Sequence, residues 1–278
     1  MTGLRGGAVA WDTGTGVAGF HWPSSTPRAS VLLQHGLSEY SERYVDQYSE
    51  LIPALLRHGI SVYAIDLEGH GRSSGRRADT DVSRSVFHHQ AARRCLENEV
   101  QPLFLFGHSL GGLVTSTSVL NNPLGIAGVV LSSAALLVEV PWYLGHLAPV
   151  LGRWLPQCPV GRLDPHGISR IPERVQAMMN DPMKYHGRLN ARMAASILQV
   201  STANWPRYPQ WTSPVLALHG TADRYTDCEG SRRFIEVIAA TDKTLLIETG
   251  GFHELLNDLG GERILNAVLT WLDDRIKD

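Results

Sequence analysis

Cysteine is scarce in this chain. Cys95, Cys158 and Cys228 are odd in number and scattered without a CxxC pair, which speaks against a disulfide framework and against a zinc site. They read as buried or inert thiols. Long apolar runs are missing too: no segment approaches the roughly 18 residues that would cross a bilayer, and MTGLRGGAVAWDTGTG has no apolar core of signal-peptide length. The expectation is a cytoplasmic protein whose membrane contact, if any, is peripheral. An excess of one charge is also absent, with 25 Lys and Arg against 27 Asp and Glu and a formal net charge of -2. Nothing in the charge, and no long basic run, marks a polyanion-binding surface, so no nucleic-acid partner is expected. No HExxH or comparable histidine pair occurs, and the chemistry expected below needs neither metal nor cofactor.

With 278 residues, 43% of them hydrophobic, the chain can build one large core plus an insertion. Ala8 to Trp11 and Val17 to Trp22 read as a hairpin, the antiparallel edge of a sheet. Ser30 to Gln34 is a continuous apolar strand, followed by a helix-period segment, Tyr44 to His58, and a strand from Ile60 to Ile65. Asp66 to Gly75 is a glycine-rich loop, and Arg84 to Val100 a second helix, stopped by Pro102. Strands at Leu103 to Phe106, Gly125 to Ser132, Pro214 to Leu218 and Lys243 to Glu248, with a closing helix from Arg263 to Ile276, complete the alternation. This is an α/β pattern, a mostly parallel doubly wound sheet with reactive residues at the strands' carboxyl ends. It lapses between Ala134 and about Pro209, where a proline-punctuated helical stretch is too long for a connection. The expected division is a core of 1–133 and 210–278 with a helical lid, or cap, at 134–209.

The core turns on LFLFGHSLGGLVTSTSVL, Leu103 to Leu120. An apolar strand runs into Gly107-His108-Ser109-Leu110-Gly111 and then into a helix. A serine at the tip of such a turn sits in strained backbone, and the flanking glycines let strand and helix approach. Serine needs a base to take its proton, and the base needs a third group to hold its tautomer. After the strand ending at Leu218 comes His219-Gly220-Thr221-Ala222-Asp223-Arg224, and after the strand ending at Glu248 comes Gly250-Gly251-Phe252-His253-Glu254. Ser109, Asp223 and His253 thus stand in the order of an α/β-hydrolase triad, with Asp227 the rival acid. Backbone N–H groups of Leu37 and Leu110 are the expected oxyanion donors. His35, His108 and His219 flank glycines at strand ends and are expected to wall the site, while His88 and His89 read as solvated helix residues.

HGLSEYSERY (His35 to Tyr44), DLEGHGRS (Asp66 to Ser73), GHSLGG (Gly107 to Gly112) and GTADR (Gly220 to Arg224) resemble the monoacylglycerol lipase and lysophospholipase group of α/β-hydrolases. The resemblance runs from about Ser30 to the C-terminus and takes in NDPMKYHG, Asn180 to Gly187, within the lid. It implies the same triad and oxyanion donors, a cap over an acyl channel, and Glu39 and Arg43 near the glycerol site. His108 and Tyr185 join them as expected substrate-binding residues. Tyr40 departs from the group's HGxxEH pattern, which bears on the headgroup.

VEVPWYLGHLAPVLGRWL, Val138 to Leu155, places Trp142, Tyr143, Leu144, Leu147, Val150, Leu151, Trp154 and Leu155 in one apolar, partly helical stretch. It reads either as a surface that touches lipid aggregates or membranes, or as plain packing of the lid on the core. The expected reaction is hydrolysis of a carboxylic ester, monoacylglycerol first. A lysophospholipase, a broader carboxylesterase and, more distantly, a non-enzymatic ligand-binding protein are the alternatives.

Overall fold

The computed structural model describes residues 3–99, 101–138 and 140–276, with residues 142–144 and 146 described in their backbone alone. In chain order the elements are β1 (Val9–Asp12), β2 (Ala18–Trp22), β3 (Ala29–Gln34), α1 (Arg43–Asp46), α2 (Leu51–Arg57), β4 (Ile60–Ile65), α3 (Val82–Cys95), β5 (Leu103–His108), α4 (Leu110–Asn121) and β6 (Gly128–Ser132). Then follow α5 (Trp142–Trp154), β7 (Pro159–Gly161), α6 (Pro172–Met179), β8 (Leu189–Asn190), α7 (Ala191–Asn204), β9 (Val215–Gly220), α8 (Cys228–Val237), β10 (Lys243–Glu248) and α9 (Gly261–Asp273).

One sheet of eight strands runs in the order β1-β2-β4-β3-β5-β6-β9-β10. β1 and β2 pair antiparallel, β2 pairs antiparallel with β4, and every pair from β4 to β10 is parallel. Every residue of β3, β4 and β5 is buried, as parallel strands covered on both faces require. Alternate residues separate the two cores: Val31 and Leu33 pack with α2 and α9, whereas Leu32 packs with Ala92 and Leu96 at α3, Val119 of α4 and Phe234 of α8. The fold is the doubly wound sheet of an α/β-hydrolase.

β6 and β9 are sheet neighbours, yet some eighty residues lie between them and hold α5, β7, α6, β8 and α7. This segment is tied to the core through the buried Asp79, which accepts from Gln157 (2.8 Å), Asn190 (2.9 Å) and Arg192. Within it α5 lies so close on α7 that a Cβ on Gly152 would stand 2.8 Å from the Ala195 methyl. Leu147, Val150 and Trp154 of α5 are exposed, as is Leu155 just after it. The side chains of Trp142, Tyr143 and Leu144 lie outside the described part. Among the described residues no helix is long and apolar enough to cross a membrane.

Three expectations are corrected. The helix of Tyr44 to His58 is broken, because Tyr48, Ser49 and Glu50 all adopt positive φ between α1 and α2. Asn257 and Leu256, from the loop after β10, hold that turn: Asn257 Oδ1 accepts from the Tyr48 N–H, and Leu256 O accepts from Ser49 Oγ at 2.6 Å. His88 and His89 are buried, not solvated, because α3 turns that face onto its neighbours and leaves Phe87 in solvent. Cys95 and Cys158 are exposed free thiols; Cys95 lies on the outer face of α3, beside the buried Leu96. Val100, the expected end of α3, lies outside the described residues.

Candidate active site

β5 delivers Ser109 to the top of the sheet in a turn with φ 54° and ψ -120°, a conformation that costs a non-glycine residue energy and occurs where the surroundings enforce it. Here they do. The Ser109 N–H donates to Ser132 O at 2.9 Å, and its carbonyl accepts from the Ala135 N–H at 3.1 Å. A Cβ on Gly107 would come within 2.6 Å of Thr115 Oγ1, which is why the crossing of strand and helix needs a glycine.

Asp223 and His253, the expected acid and base, arrive on loops after β9 and β10. His253 Nδ1 donates to Asp223 Oδ2 at 2.7 Å, leaving Nε2 as the acceptor of the neutral ring. Asp223 Oδ1 accepts from the N–H groups of Tyr225 (2.8 Å) and Thr226 (3.1 Å), and Oδ2 also accepts from Thr226 Oγ1 (2.7 Å). Burial alone would raise the Asp223 pKa, but the adjacent His253 and His219 outweigh it and hold the carboxyl far below the carboxylate range. Asp227, the rival, instead caps α8, accepting from the Glu229 N–H at 2.8 Å. Ser133 fixes the histidine loop to the end of β6, donating from Oγ to His253 O at 2.7 Å.

Ser109 and His253 line one cavity of about 880 Å³ together with Leu37, Ser38, Glu39, His108, Lys184, Tyr185 and Glu254. The rest of its wall is largely aliphatic, from Leu110 and Ala135 to Leu151, Leu163, Ile168, Met178, Ile197 and Leu198. The N–H groups of Leu37 and Leu110 donate to no other described residue. Of the three walling histidines only His108 faces the cavity. Its Nδ1 donates to Ser132 O at 3.1 Å, and burial, with His253 next to it, brings its pKa down to about 4. His35 lies behind, donating from Nδ1 to Gly36 O (2.7 Å) and accepting at Nε2 from the Leu67 N–H (3.0 Å). His219 stands behind Asp223, its Nε2 3.3 Å from Oδ2 and its Nδ1 2.7 Å from Ser231 Oγ.

Arg43 does not reach the cavity. It is fully buried behind the wall, giving Nη1 to Glu39 Oε2 (2.6 Å) and both terminal nitrogens to Glu254 (3.1 and 3.2 Å). Glu39 does line the cavity, but its oxygens are filled by the Gly36 N–H (2.6 Å), Tyr44 (3.0 Å), Arg43 and Tyr48 (2.8 Å). Burial works against ionisation of Glu39, yet Arg43 and the other neighbours hold it down at about 2. Arg43 Nε is left without a partner, but it is buried behind the wall, and these two residues therefore brace the loop of Leu37. Thr226, Ser133, Lys184 and Glu254 escaped the sequence reading. Glu254 was signalled only by adjacency to His253, and Thr226 by following Asp223 at the spacing of an Asx turn. Among the described residues no group of three His, Cys, Asp or Glu is placed to hold a metal ion.

Residues 25–260 match the hydrolase family described as serine aminopeptidase, S33. The chain belongs to that family. It is 32% identical over 277 residues to the monoacylglycerol lipase of Mycolicibacterium smegmatis, covering 98% of this chain and 95% of that one. With the monoglyceride lipase of Rattus norvegicus it shares 32% over 267 residues, 92% of this chain and 86% of the relative. Among solved structures, the Paleococcus ferrophilus monoacylglycerol lipase matches with a TM-score of 0.82 at 35% identity, over 93% of this chain and 99% of the other. As a member of this serine hydrolase family the chain is a carboxylic ester hydrolase.

Proposed function

We propose that the chain hydrolyses monoacylglycerols to fatty acid and glycerol, with Ser109 as nucleophile, His253 as general base and Asp223 as its partner. Ser109 Oγ attacks the ester carbonyl while His253 Nε2 takes the hydroxyl proton; the N–H groups of Leu37 and Leu110 stabilise the oxyanion. As the tetrahedral intermediate collapses, the bond to the alcohol oxygen breaks and His253 returns the proton to it. The acyl-enzyme is then cleaved by water that His253 deprotonates. The observation that carries the reading is one shared cavity: a largely aliphatic space of about 880 Å³, roomy enough for an acyl chain, that Ser109 and His253 line together. The names of the relatives above add the monoester.

Residues 134–209 serve in this reading as the cap, and the exposed Leu147, Val150, Trp154 and Leu155 touch the lipid aggregate that supplies substrate. The test is kcat/KM for a monoacylglycerol, the matching diacylglycerol, lysophosphatidylcholine and a short soluble ester, with Ser109→Ala as blank. A strong preference for the monoacylglycerol, lost in the blank by roughly 10³-fold or more, is expected. Preference for lysophosphatidylcholine would make it a lysophospholipase, and preference for the short ester a general carboxylesterase. Equal rates in the blank would remove Ser109 from the reaction.

A further inference from the structure

The polar end of the cavity holds a cation for which the reaction scheme has no task. Lys184, between α6 and β8, lines the same cavity as Leu37, Ser109 and His253, with its side chain only 7% exposed. Its Nζ stands 3.8 Å from Glu254 Oε1, beyond hydrogen-bonding distance, and makes no hydrogen bond to a described residue. Arg43, by contrast, has both terminal nitrogens engaged. Only three of the chain's 25 Lys and Arg residues are lysines, so a lysine in the interior is a departure from its own usage. Lysine offers what the arginine fork does not, a compact charge with three donors that follow a small ligand.

A buried ammonium is costly when its donors are unmet. Of the carboxylates nearby, Glu39 accepts four donors and Glu254 three, from Arg43 and Asn257 (2.7 Å), and the one open position, on Glu254 Oε1, lies 3.8 Å from Nζ, too far to take a donor. The remaining acceptor must come from the cavity. Formal charge says what kind it is. Glu39 and Glu254 balance Arg43 and Lys184, and Asp181 adds a further negative charge nearby, so an anionic substituent would leave this enclosed corner with surplus negative charge, and a cationic one would face Lys184 itself. A neutral hydroxyl oxygen accepts from the ammonium and keeps the balance.

We infer that Lys184 is a specificity-determining residue that donates a hydrogen bond to a free hydroxyl of the ester's alcohol portion, selecting neutral polyol esters over alcohols that lack a hydroxyl or carry charge. This rests on the monoacylglycerol reading and assigns that reading's headgroup contact to Lys184. The bond forms in the Michaelis complex and persists as the alcohol departs, so its loss falls mainly on KM.

The experiment compares kcat/KM for a monoacylglycerol and for the methyl ester of the same fatty acid, in the wild type, Lys184→Met and Lys184→Gln. The ratio of the two substrates is independent of how much protein is folded. In Lys184→Met it should fall by about 10- to 100-fold, the scale of a hydrogen bond from a charged donor, with the change in KM. Lys184→Gln, which keeps a neutral donor, should recover part of it. A wild-type preference for monoacylglycerol that survives within twofold in Lys184→Met overturns the role of Lys184 and leaves the monoacylglycerol reading standing. A wild type with no preference over the methyl ester removes that reading, and the inference with it. Faster wild-type turnover of a monoacylglycerol phosphate than of the neutral ester, lost in Lys184→Met, overturns the choice of a neutral headgroup.

Discussion

Thr226 Oγ1 lies 2.7 Å from Asp223 Oδ2, on the same carboxylate oxygen that accepts from His253 at 2.7 Å. It also lies 3.0 Å from Ser133 O, so the hydroxyl joins the acid loop to the end of β6. Asp223 is thereby fixed in orientation as well as charge. Asp223→Asn, which can hold the ring in the wrong tautomer, should lower kcat by about 10⁴-fold. Thr226→Val, which removes one hydrogen bond to a charged group, should lower it by about 10-fold, and Thr226→Ser should restore most of the loss. Steady-state kinetics on a soluble ester decides. A Ser variant as slow as the Val variant would mean that the methyl group's packing, not the hydroxyl, matters.

The proposed oxyanion donors are backbone groups, so side-chain substitution should discriminate. Leu37→Ala keeps the N–H and should stay near wild-type kcat. Leu37→Pro deletes it and should lose roughly 10²- to 10³-fold or more. Equal loss in both would show that the Leu37 side chain, which packs against Leu110, Leu113 and their neighbours, was the relevant part.

The strands and the elbow could be read in advance because parallel strands covered on both faces are written as unbroken apolar runs, and because only small residues fit where β5 crosses α4. What eluded the reading depends on partners distant in the chain. The turn at Tyr48 to Glu50 is set by Leu256 and Asn257, some two hundred positions later, and local periodicity cannot register that. Sequence favours Asp223, which directly follows a strand end, but leaves Asp227 as a rival; the structure separates them, since Asp223 meets His253 and Asp227 caps α8. Lys184 sits on a loop, where a lysine is ordinarily solvated; the docking of that loop, by the Tyr185 N–H on Ser38 O at 3.1 Å, Asp181 on the Tyr40 hydroxyl at 2.8 Å and Met183 O on Arg77, closes it inside.

Arg43 is placed to brace two buried carboxylates, which makes a prediction opposite to a headgroup contact. Arg43→Met leaves Glu39 and Glu254 with one remote cation between them, and breaking a buried ion pair from one side costs about 3–5 kcal/mol. For a chain of this length each kcal/mol is worth about 2–4 °C, so Tm should drop by roughly 10 °C. Thermal unfolding measures it. An unchanged Tm with a raised KM for monoacylglycerol would return Arg43 to the substrate.

Buried histidines should make the protein acid-sensitive well above the range of its carboxylates. Burial, with a smaller contribution from nearby positive groups, brings His70 and His89 down to about 3, and His108 to about 4, from an ordinary 6.5. Between pH 6.5 and about 4 the unfolded chain binds protons that the folded one refuses, so stability rises with pH across that window and is lost on acidification. Tm should be flat near neutrality and fall below pH 6.5. Both ring nitrogens of His89 are buried without a hydrogen-bond partner, and the ring lies away from the cavity. His89→Leu should therefore raise Tm at pH 5 and flatten the slope, by an amount that shrinks above pH 7. A pH-independent gain would assign the effect to packing alone.

Lys184 tests whether the chain keeps a group that its fold would do better without. Burial and the charge of Arg43 lower its pKa to about 8 from an ordinary 10.5, against the attraction of Glu254, Glu39 and Asp181. A lysine whose folded pKa lies below its unfolded value binds its proton less well in the folded state. Its charge therefore works against folding at neutral pH, and the penalty disappears as pH rises from about 8 through 10.5. Methionine has a similar reach without the charge, and Glu254 retains both bonds from Arg43. Lys184→Met should raise Tm by a few degrees at pH 7, with the gain vanishing towards pH 10.5, while its preference for monoacylglycerol falls. Stability exchanged for selectivity at a single side chain is what a substrate-binding group predicts. A variant that loses Tm at pH 7 would instead show that the charge of Lys184 is needed to hold Glu254 in place.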